Sequence, residues 1–327
     1  MATDNNKKVI VLTGSWYWER VNLLAENGVE ARKVPDGRED LFYAECGDTL
    51  AIVPGLTNIT RPMMEKSSNL LIIAAHGVGY NNVDIDAADD LGILVTNIPG
   101  ANSDAVAEFV FGFMLSLIRF FPQTWEEMKK GGWRRPEFWG TELRGKTLGI
   151  IGLGQIGKRV SRLGAAFGMK ILANDPYIPE NDFHDAGAEA VDKERAIAQA
   201  DFLTLHTPLT DETRRLIGPR ELSRMKPSAF LINTARGGIV DEGALIEALD
   251  SGKIAGAAID VFEKEPPEDR TLGEHPRVIS APHMAGLTNE ARYRLGMGAS
   301  ERILCALRGE MPANVVNQPK NPRYVRK

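Results

Sequence analysis

Three segments of the chain each run from apolar residues into a group able to do acid–base work. Leu231-Ile232-Asn233-Thr234-Ala235 leads to Arg236, and Ala257-Ala258-Ile259 leads to Asp260, with Glu263 and Glu265 close behind. Ile279-Ser280-Ala281-Pro282 leads to His283. In open α/β sheets the carboxyl ends of the strands line the ligand crevice, so Arg236, one of these carboxylates and His283 are expected to meet there. Arginine clamps a carboxylate through two parallel hydrogen bonds, and histidine takes or gives a hydroxyl proton. A carboxylate orients the imidazole and favours its charged form. Beside a nicotinamide, such a set would serve hydride transfer to or from a 2-hydroxy acid. Spacing alone leaves Asp260, Glu263 and Glu265 equally placed to support the histidine. Singly, each group has a plainer role: a surface ion pair for Arg236, a solvated acid for Glu265, a hydrogen-bonded strand-end histidine for His283. Their succession downstream of a nucleotide motif is what favours chemistry.

That motif is Gly152-Leu153-Gly154-Gln155-Ile156-Gly157, directly after the apolar run 147–151 and before a segment with Ile156, Val160, Leu163 and Phe167 at helical spacing. The first glycine allows the tight turn, the second lets backbone approach a pyrophosphate, and the third lets helix and strand pack closely. The helix N-terminus then offers free N–H groups to the phosphates. The next strand candidate, 170–173, ends at Asn174-Asp175. A carboxylate there accepts hydrogen bonds from the adenosine ribose and repels a 2′-phosphate, which predicts NAD, with NADP disfavoured. The plain alternative is a glycine turn with an exposed helix cap at Asp175.

The elements that must position these groups follow from patterning. Short Val-, Ile- and Leu-rich runs at 8–12, 50–53, 70–75, 93–96, 147–151, 170–173, 202–206, 229–233, 255–260 and 278–280 alternate with amphipathic segments. Runs that are apolar throughout suit parallel strands covered on both faces, and the alternation predicts doubly wound α/β architecture, twice over. A seam is expected at Pro99-Gly100-Ala101-Asn102-Ser103, with a long apolar helix from near Asp104, and a second loop region over 123–146. The 327 residues, 43% hydrophobic and 25% charged, suffice for two compact domains and exclude a disordered chain. A net charge of −5 without a basic tract is a poor fit to nucleic acid or anionic membrane. The apolar run after Lys8 is too short for a signal-peptide core, so a cytoplasmic location is expected. Two cysteines, Cys46 and Cys305, exclude a disulfide framework and are expected to be buried or inert; no metal-ligand spacing is present. Of the other histidines, His206 either lines an adenine pocket or packs, His184 and His275 are expected to be solvated, and His76 is ambiguous.

Taken together, these motifs resemble the D-isomer-specific 2-hydroxyacid dehydrogenase family over nearly the whole chain. The matching segments are His76-Gly77-Val78-Gly79, Asn97 to Ser103 leading to Val106-Ala107-Glu108, the glycine fingerprint with Asp175, and His206-Thr207-Pro208-Leu209. Further on come Asn233 to Gly238, Asp260 to Pro266, and Ala281-Pro282-His283. The resemblance implies two Rossmann-like parallel-sheet domains: a flavodoxin-like substrate domain, 1–101 plus 289–327, around an inserted NAD-binding domain, 102–288. It implies a catalytic set of Arg236, Glu265 and His283, and a substrate carboxylate held by backbone N–H groups at Gly77, Val78 and Gly79 with Asn102 nearby. It implies an NAD site lined by Gln155, Ile156, Asp175, Thr207, Thr234 and Asp260, with His206, Ala235 and Gly286 completing the expected set. Family members are usually dimers joined through their cofactor domains, so a homodimer is expected, with the tryptophan-rich 133–139 stretch at its interface. Loops near Trp16, Tyr17 and Trp18, at 54–57 and at Asn81-Asn82 are expected to shape the substrate pocket. The phosphoglycerate branch is similar overall, yet it commonly places arginine where this chain has Pro54 and Ala75-His76; Arg134 and Arg135 keep that substrate open. The expected activity is NAD-dependent interconversion of a D-2-hydroxy acid and its 2-oxo acid. Its alternatives are a phosphoglycerate dehydrogenase-type activity and an NAD(H)-sensing corepressor-like protein of the same fold.

Overall fold

A computed structural model describes residues 8–14 and 22–325. Trp16, Tyr17 and Trp18 lie outside the described residues. The chain divides into two compact units, one taking residues up to Asn102 and again from Leu287, the other Ser103–Gly286. These crossings place Asn102, Leu287 and Thr288 with the first unit. Local structure explains both positions. Ser103 opens a 17-residue helix, Ser103–Arg119, whose Val110, Phe111, Met114 and Ile118 belong to the second unit's core. Thr288 caps the helix Asn289–Leu307, its hydroxyl accepting the Ala291 N–H at 3.1 Å, and that helix buries Leu295, Ala299 and Ile303 in the first unit's core.

The first unit is built on five parallel strands: β1 (Lys8–Thr13), β2 (Val29–Val34), β3 (Ala51–Val53), β4 (Ile72–Ala74) and β5 (Leu94–Thr96), in the order β2-β1-β3-β4-β5. This is the flavodoxin-like order. Strands β3, β4 and β5 are buried throughout, as their unbroken apolar runs require, whereas β2 alternates between buried and exposed positions at the sheet edge. The edge beyond β5 is closed by the C-terminal segment: Val316 N–H donates to Val95 O at 2.9 Å and Asn317 Oδ1 accepts Val95 N–H at 2.8 Å.

The second unit holds seven parallel strands: β6 (Thr147–Ile151), β7 (Lys170–Asn174), β8 (Glu189–Ala190), β9 (Phe202–Leu205), β10 (Phe230–Asn233), β11 (Gly256–Ile259) and β12 (Val278–Ser280). Their order, β12-β11-β10-β9-β6-β7-β8, is the dinucleotide-binding arrangement with one strand added, and it reverses between β6 and β9. Two apolar clusters occupy the unit, one around Leu205, Leu231 and Leu245, the other around Phe111, Leu148 and Val160.

Two expectations need correction. The stretch from Gln123 is not a loop throughout, because Phe121–Lys129 is a helix with Pro122 in its first turn. It buries no residue, and its apolar side chains at helical spacing, Phe121, Trp125 and Met128, are exposed. His275 is not solvated: its side chain is 8% exposed, with Nδ1 accepting the Arg277 N–H and Nε2 lying 3.3 Å from Asp250 Oδ1. Cys46 is buried and Cys305 is partly buried, both with free thiols. Among the described residues no single helix is long and apolar enough to cross a membrane, and no cluster of His, Cys, Asp or Glu is placed to hold a metal.

Candidate active site

Strand β6 ends in the glycine turn, and each glycine meets a different demand. Gly152 has φ +91°, a conformation L side chains rarely adopt, and a Cβ there would lie 2.7 Å from the His206 carbonyl. Gly157 packs so closely that a Cβ would lie 2.2 Å from the Gly152 carbonyl, whereas at Gly154 a Cβ would meet nothing within 4 Å. The open position opposite Gly154, at the start of the helix Gln155–Ala166, is the space a pyrophosphate needs. Gln155 is exposed there, its Oε1 accepting from Arg159, and Ile156 packs on the core. Asp175 follows β7 and turns back to the glycine turn: Oδ2 accepts the Leu153 N–H at 2.9 Å and Oδ1 accepts the Tyr177 N–H at 3.0 Å.

Around the same strand ends, three buried polar atoms have no hydrogen-bond partner: Thr207 Oγ1, Thr234 Oγ1 and His206 Nδ1. Unmade bonds of this kind cost about 1–3 kcal/mol each, so a cradle holding several is suited to a polar ligand that completes them. Burial lowers the His206 pKa to about 3, which keeps the ring neutral, with Nε2 lying 3.0 Å from Thr204 Oγ1. These orphaned atoms and the glycine turn fit a dinucleotide. Ala235 is buried in this rim, and Gly286 is the last residue of the unit.

Arg236 stands on the turn after β10. Asn233 braces that turn from both sides, its Oδ1 accepting the Ala235 N–H at 3.1 Å and its Nδ2 donating to Arg236 O at 3.0 Å. This brace was not anticipated, although an Asn at a strand end just ahead of a turn is its usual signal. The guanidinium makes one hydrogen bond, to Ala235 O at 2.7 Å, and has no ion-pair partner within 4 Å among the described residues. Burial pulls its pKa below the ordinary arginine value, with the Glu265 charge opposing. A cation withdrawn from water with most of its five N–H groups unengaged is suited to an anionic ligand.

The structure resolves which acid supports the histidine. His283 Nδ1 lies 2.7 Å from Glu265 Oε2, while Glu265 Oε1 accepts the Phe262 N–H at 3.0 Å. Burial pushes the Glu265 pKa up, but the His283 bond and charge, the Phe262 N–H and the Arg236 charge outweigh it, so the carboxyl titrates below its usual range. The Glu263 carboxylate makes no hydrogen bond to the ring among the described residues, and its backbone N–H donates to Glu242 Oε1 at 2.6 Å. With Nδ1 bonded to Glu265, Nε2 is the nitrogen left to exchange a proton.

Asp260, expected among the residues lining the NAD site, stands directly after β11. It is 1% exposed, and its carboxylate accepts the N–H groups of Met284 at 2.7 Å and Ala285 at 2.9 Å, while its carbonyl accepts that of His283 at 2.8 Å. Burial raises its pKa against those two backbone bonds. Three consecutive amides are thus gathered on one residue, and His283 is held at φ +54°, in the left-handed region. Such backbone costs about 1–3 kcal/mol and persists only where its surroundings enforce it. The side chain of Asp260 acts on the histidine loop.

The substrate residues expected in the first unit also have distinct settings. The carbonyls of Gly77 and Val78 are taken by Ile98 N–H at 2.8 Å and Asn97 Nδ2 at 2.7 Å. Gly79 follows with a Cβ-free backbone, and Asn102 Oδ1 is buried without a partner. Burial, with the nearby Arg292 charge, lowers the His76 pKa to about 4.

Residues 103–286 thus form a doubly wound dinucleotide-type unit with Arg236, Glu265 and His283 near its strand ends. Comparisons with known proteins agree. The model for the D-isomer specific 2-hydroxyacid dehydrogenase NAD binding domain matches residues 111–285. The D-3-phosphoglycerate dehydrogenase of Methanocaldococcus jannaschii is 44% identical over 316 residues, covering 96% of this chain and 60% of its own. That of Homo sapiens is 40% identical over 318 residues, covering 97% and 60%. Among solved structures, the D-lactate dehydrogenase of Aquifex aeolicus complexed with NAD and lactic acid superposes with a TM-score of 0.85 at 29% identity, over 95% of this chain and 100% of that one. The chain belongs to the D-isomer-specific 2-hydroxyacid dehydrogenase family. It spans about 60% of the length of the curated relatives it matches.

Proposed function

We propose that this protein interconverts a D-2-hydroxy acid and its 2-oxo acid with NAD as the redox partner. The observation that carries this is the His283–Glu265 pair, 2.7 Å apart, in the same unit as a dinucleotide turn and a half-buried Arg236 that has no ion-pair partner among the described residues. When bound, the cofactor would take a hydride as NAD+ in oxidation and would return it as NADH in reduction. His283 Nε2 accepts the substrate hydroxyl proton in oxidation and returns it in reduction. Glu265, ionised at neutral pH, holds the ring and stabilises its charged form. Arg236 fixes the substrate carboxylate and polarises the carbonyl. Gly152, Gly154, Gln155, Ile156, Gly157, Asp175, His206, Thr207, Thr234, Ala235 and Gly286 form the cofactor site of residues 103–286. In the other unit, the backbone of Gly77, Val78 and Gly79 and the Asn102 amide are assigned to substrate. The experiment is NADH oxidation against glyoxylate, hydroxypyruvate, phosphohydroxypyruvate, pyruvate and bulkier 2-oxo acids. Turnover of at least one supports the proposal; NADH binding without turnover of any would mark a cofactor-sensing protein.

A phosphoglycerate-type substrate is the second reading, favoured by the names of the relatives at 40–44% identity. Against it, the chain has Pro54 and Ala75 where that branch places arginine, and Arg135 is engaged by Glu127 at 2.6 Å, which leaves Arg134 as the cation of that pair with no ion-pair partner among the described residues.

The cofactor is assigned as NAD over NADP on the Asp175 carboxylate, whose charge stands at the glycine turn. Asp175→Ala is expected to narrow the NAD-over-NADP ratio of kcat/KM by at least about tenfold, the size of one lost charge repulsion. An unchanged ratio would put the discriminating charge elsewhere.

The assembly is assigned as a homodimer through this unit. Phe121, Trp125, Met128, Trp133 and Trp139 are exposed by 50–79%, a concentration of large apolar side chains that water disfavours. Trp125→Glu combined with Trp139→Glu should convert a dimer into a monomer in sedimentation equilibrium. A wild-type monomer, or a dimer indifferent to both changes, would refute this interface.

A further inference from the structure

The segment that carries Glu265 is fastened to its own unit at one point. Val261 and Phe262 are buried at the end of β11, but from Glu263 to Glu268 the chain is irregular and mostly exposed. The Glu263 N–H donates to Glu242 Oε1 at 2.6 Å. Among the described residues, no other backbone N–H or C=O of 263–268 makes a hydrogen bond. The Glu265 carboxylate then spans from the Phe262 N–H, at 3.0 Å, to His283 Nδ1, at 2.7 Å. Where the loop leaves the core, a single carboxylate sets its course.

Glu242 opens the helix Glu242–Asp250, yet that helix does not need its side chain, because Asp241 caps it by accepting the Ala244 N–H at 3.0 Å. The Glu242 carboxylate is half withdrawn from water. Burial raises its pKa against the Glu263 N–H bond, and the charges of Glu263, Asp269 and Glu265 raise it further. An acid kept among three like charges costs stability, and groups held at such a cost gather at functional sites. Gly237 fixes the same peptide from the other side. A Cβ there would lie 2.6 Å from Glu263 N and closer still to Phe262 O, so the turn that carries Arg236 abuts the peptide that Glu242 holds.

We propose that Glu242 is a positioning residue: through the Glu263 N–H it fixes the loop that brings Glu265 to His283. This rests on the acid–base role proposed above for that pair. Glu242 makes no hydrogen bond to His283 or Glu265 and acts on them only through the loop. With the tether removed, Glu265 spends less time at Nδ1, the imidazolium loses its partner, and the ring gives up its proton at lower pH. The acids that act on the ring by charge are Glu265 and Asp260, and Arg236 acts on Glu265. Asp260 is held by the Met284 and Ala285 amides, so a change at the ring reports on Glu265.

The test follows the His283 ring by NMR titration, its signals identified by their absence in His283→Asn, alongside kcat and KM for a 2-oxo acid that wild type consumes. The variants are Glu242→Ala, Glu242→Gln, Glu265→Ala and the combination of Glu242→Ala with Glu265→Ala. Glu242→Ala should lower the ring's titration midpoint by about half a pH unit or more and kcat for reduction by about tenfold, with KM and NADH affinity changed less. Reduction needs the protonated ring, so the alkaline limb of its pH profile should move to lower pH with the midpoint. Glu242→Gln loses the charge but keeps an oxygen for the Glu263 N–H, and should recover most of both losses. In the Glu265→Ala background, adding Glu242→Ala should change little, since the side chain it positions is gone. An alanine variant with unmoved midpoint and kcat, a glutamine variant no better than alanine, or effects that add fully in the combined variant would overturn the inference. If wild type reduces no 2-oxo acid, the proposed activity falls, and the titration still decides whether Glu242 places Glu265. If wild type is active while the Glu242 variants leave ring and rate alone, the inference alone falls.

Discussion

His283→Ala is expected to lower turnover about 10²–10⁴-fold, the usual worth of a positioned general acid–base, while NADH binding is retained. The imidazole has no substitute nearby: Glu265 already spends its two oxygens on His283 and on the Phe262 N–H. Asp260 is likewise committed to the Met284 and Ala285 amides. Alanine at φ +54° also brings backbone strain, so His283→Asn is the informative companion. Asparagine tolerates the left-handed region but cannot exchange the proton at neutral pH. Both variants should therefore lose turnover alike, and near-normal rates in either would remove His283 from the acid–base role.

Arg236→Lys is expected to raise KM for the 2-oxo acid about 10–100-fold, with a smaller fall in kcat. One charge-assisted hydrogen bond is worth about 1.5–3 kcal/mol, and lysine cannot reproduce the planar two-point fork. The charge survives the substitution, so the experiment isolates geometry. The expected split, mainly in KM, separates a substrate clamp from a structural role. A purely structural arginine would instead show up as lost stability with KM unchanged. Steady-state kinetics with melting curves on the same preparations reads both.

Much of this site was legible because its residues sit where the chain must turn. Gly152, Gly154 and Gly157 carry three separable requirements, and the structure shows all three as a positive φ, an open space and a close approach. Arg236 and His283 follow apolar runs that become β10 and β12, so sequence placed them at strand ends. What sequence did not distinguish was the histidine's partner. Asp260, Glu263 and Glu265 lie within six positions, and only the path of the loop after β11 turns Glu265 toward His283 while Asp260 gathers amides. The same limit explains the overlooked strands. Edge strand β2 alternates polar and apolar residues, and β8 is two exposed residues long, so neither carries the continuous apolar signal of the inner strands. The helix Phe121–Lys129 was missed for a different reason: its apolar spacing at Phe121, Trp125 and Met128 is short and runs straight into the glycines and prolines from Gly131 on, which set the loop reading of the whole stretch.

The central claim is most directly tested by the product. Wild-type protein is incubated with NADH and a prochiral 2-oxo acid that it consumes, and the hydroxy acid formed is resolved into its enantiomers. The account predicts one equivalent of the D-2-hydroxy acid for each NADH oxidised, with formation abolished in His283→Ala. An L product, or NADH left unchanged by every 2-oxo acid while it binds tightly, would contradict it.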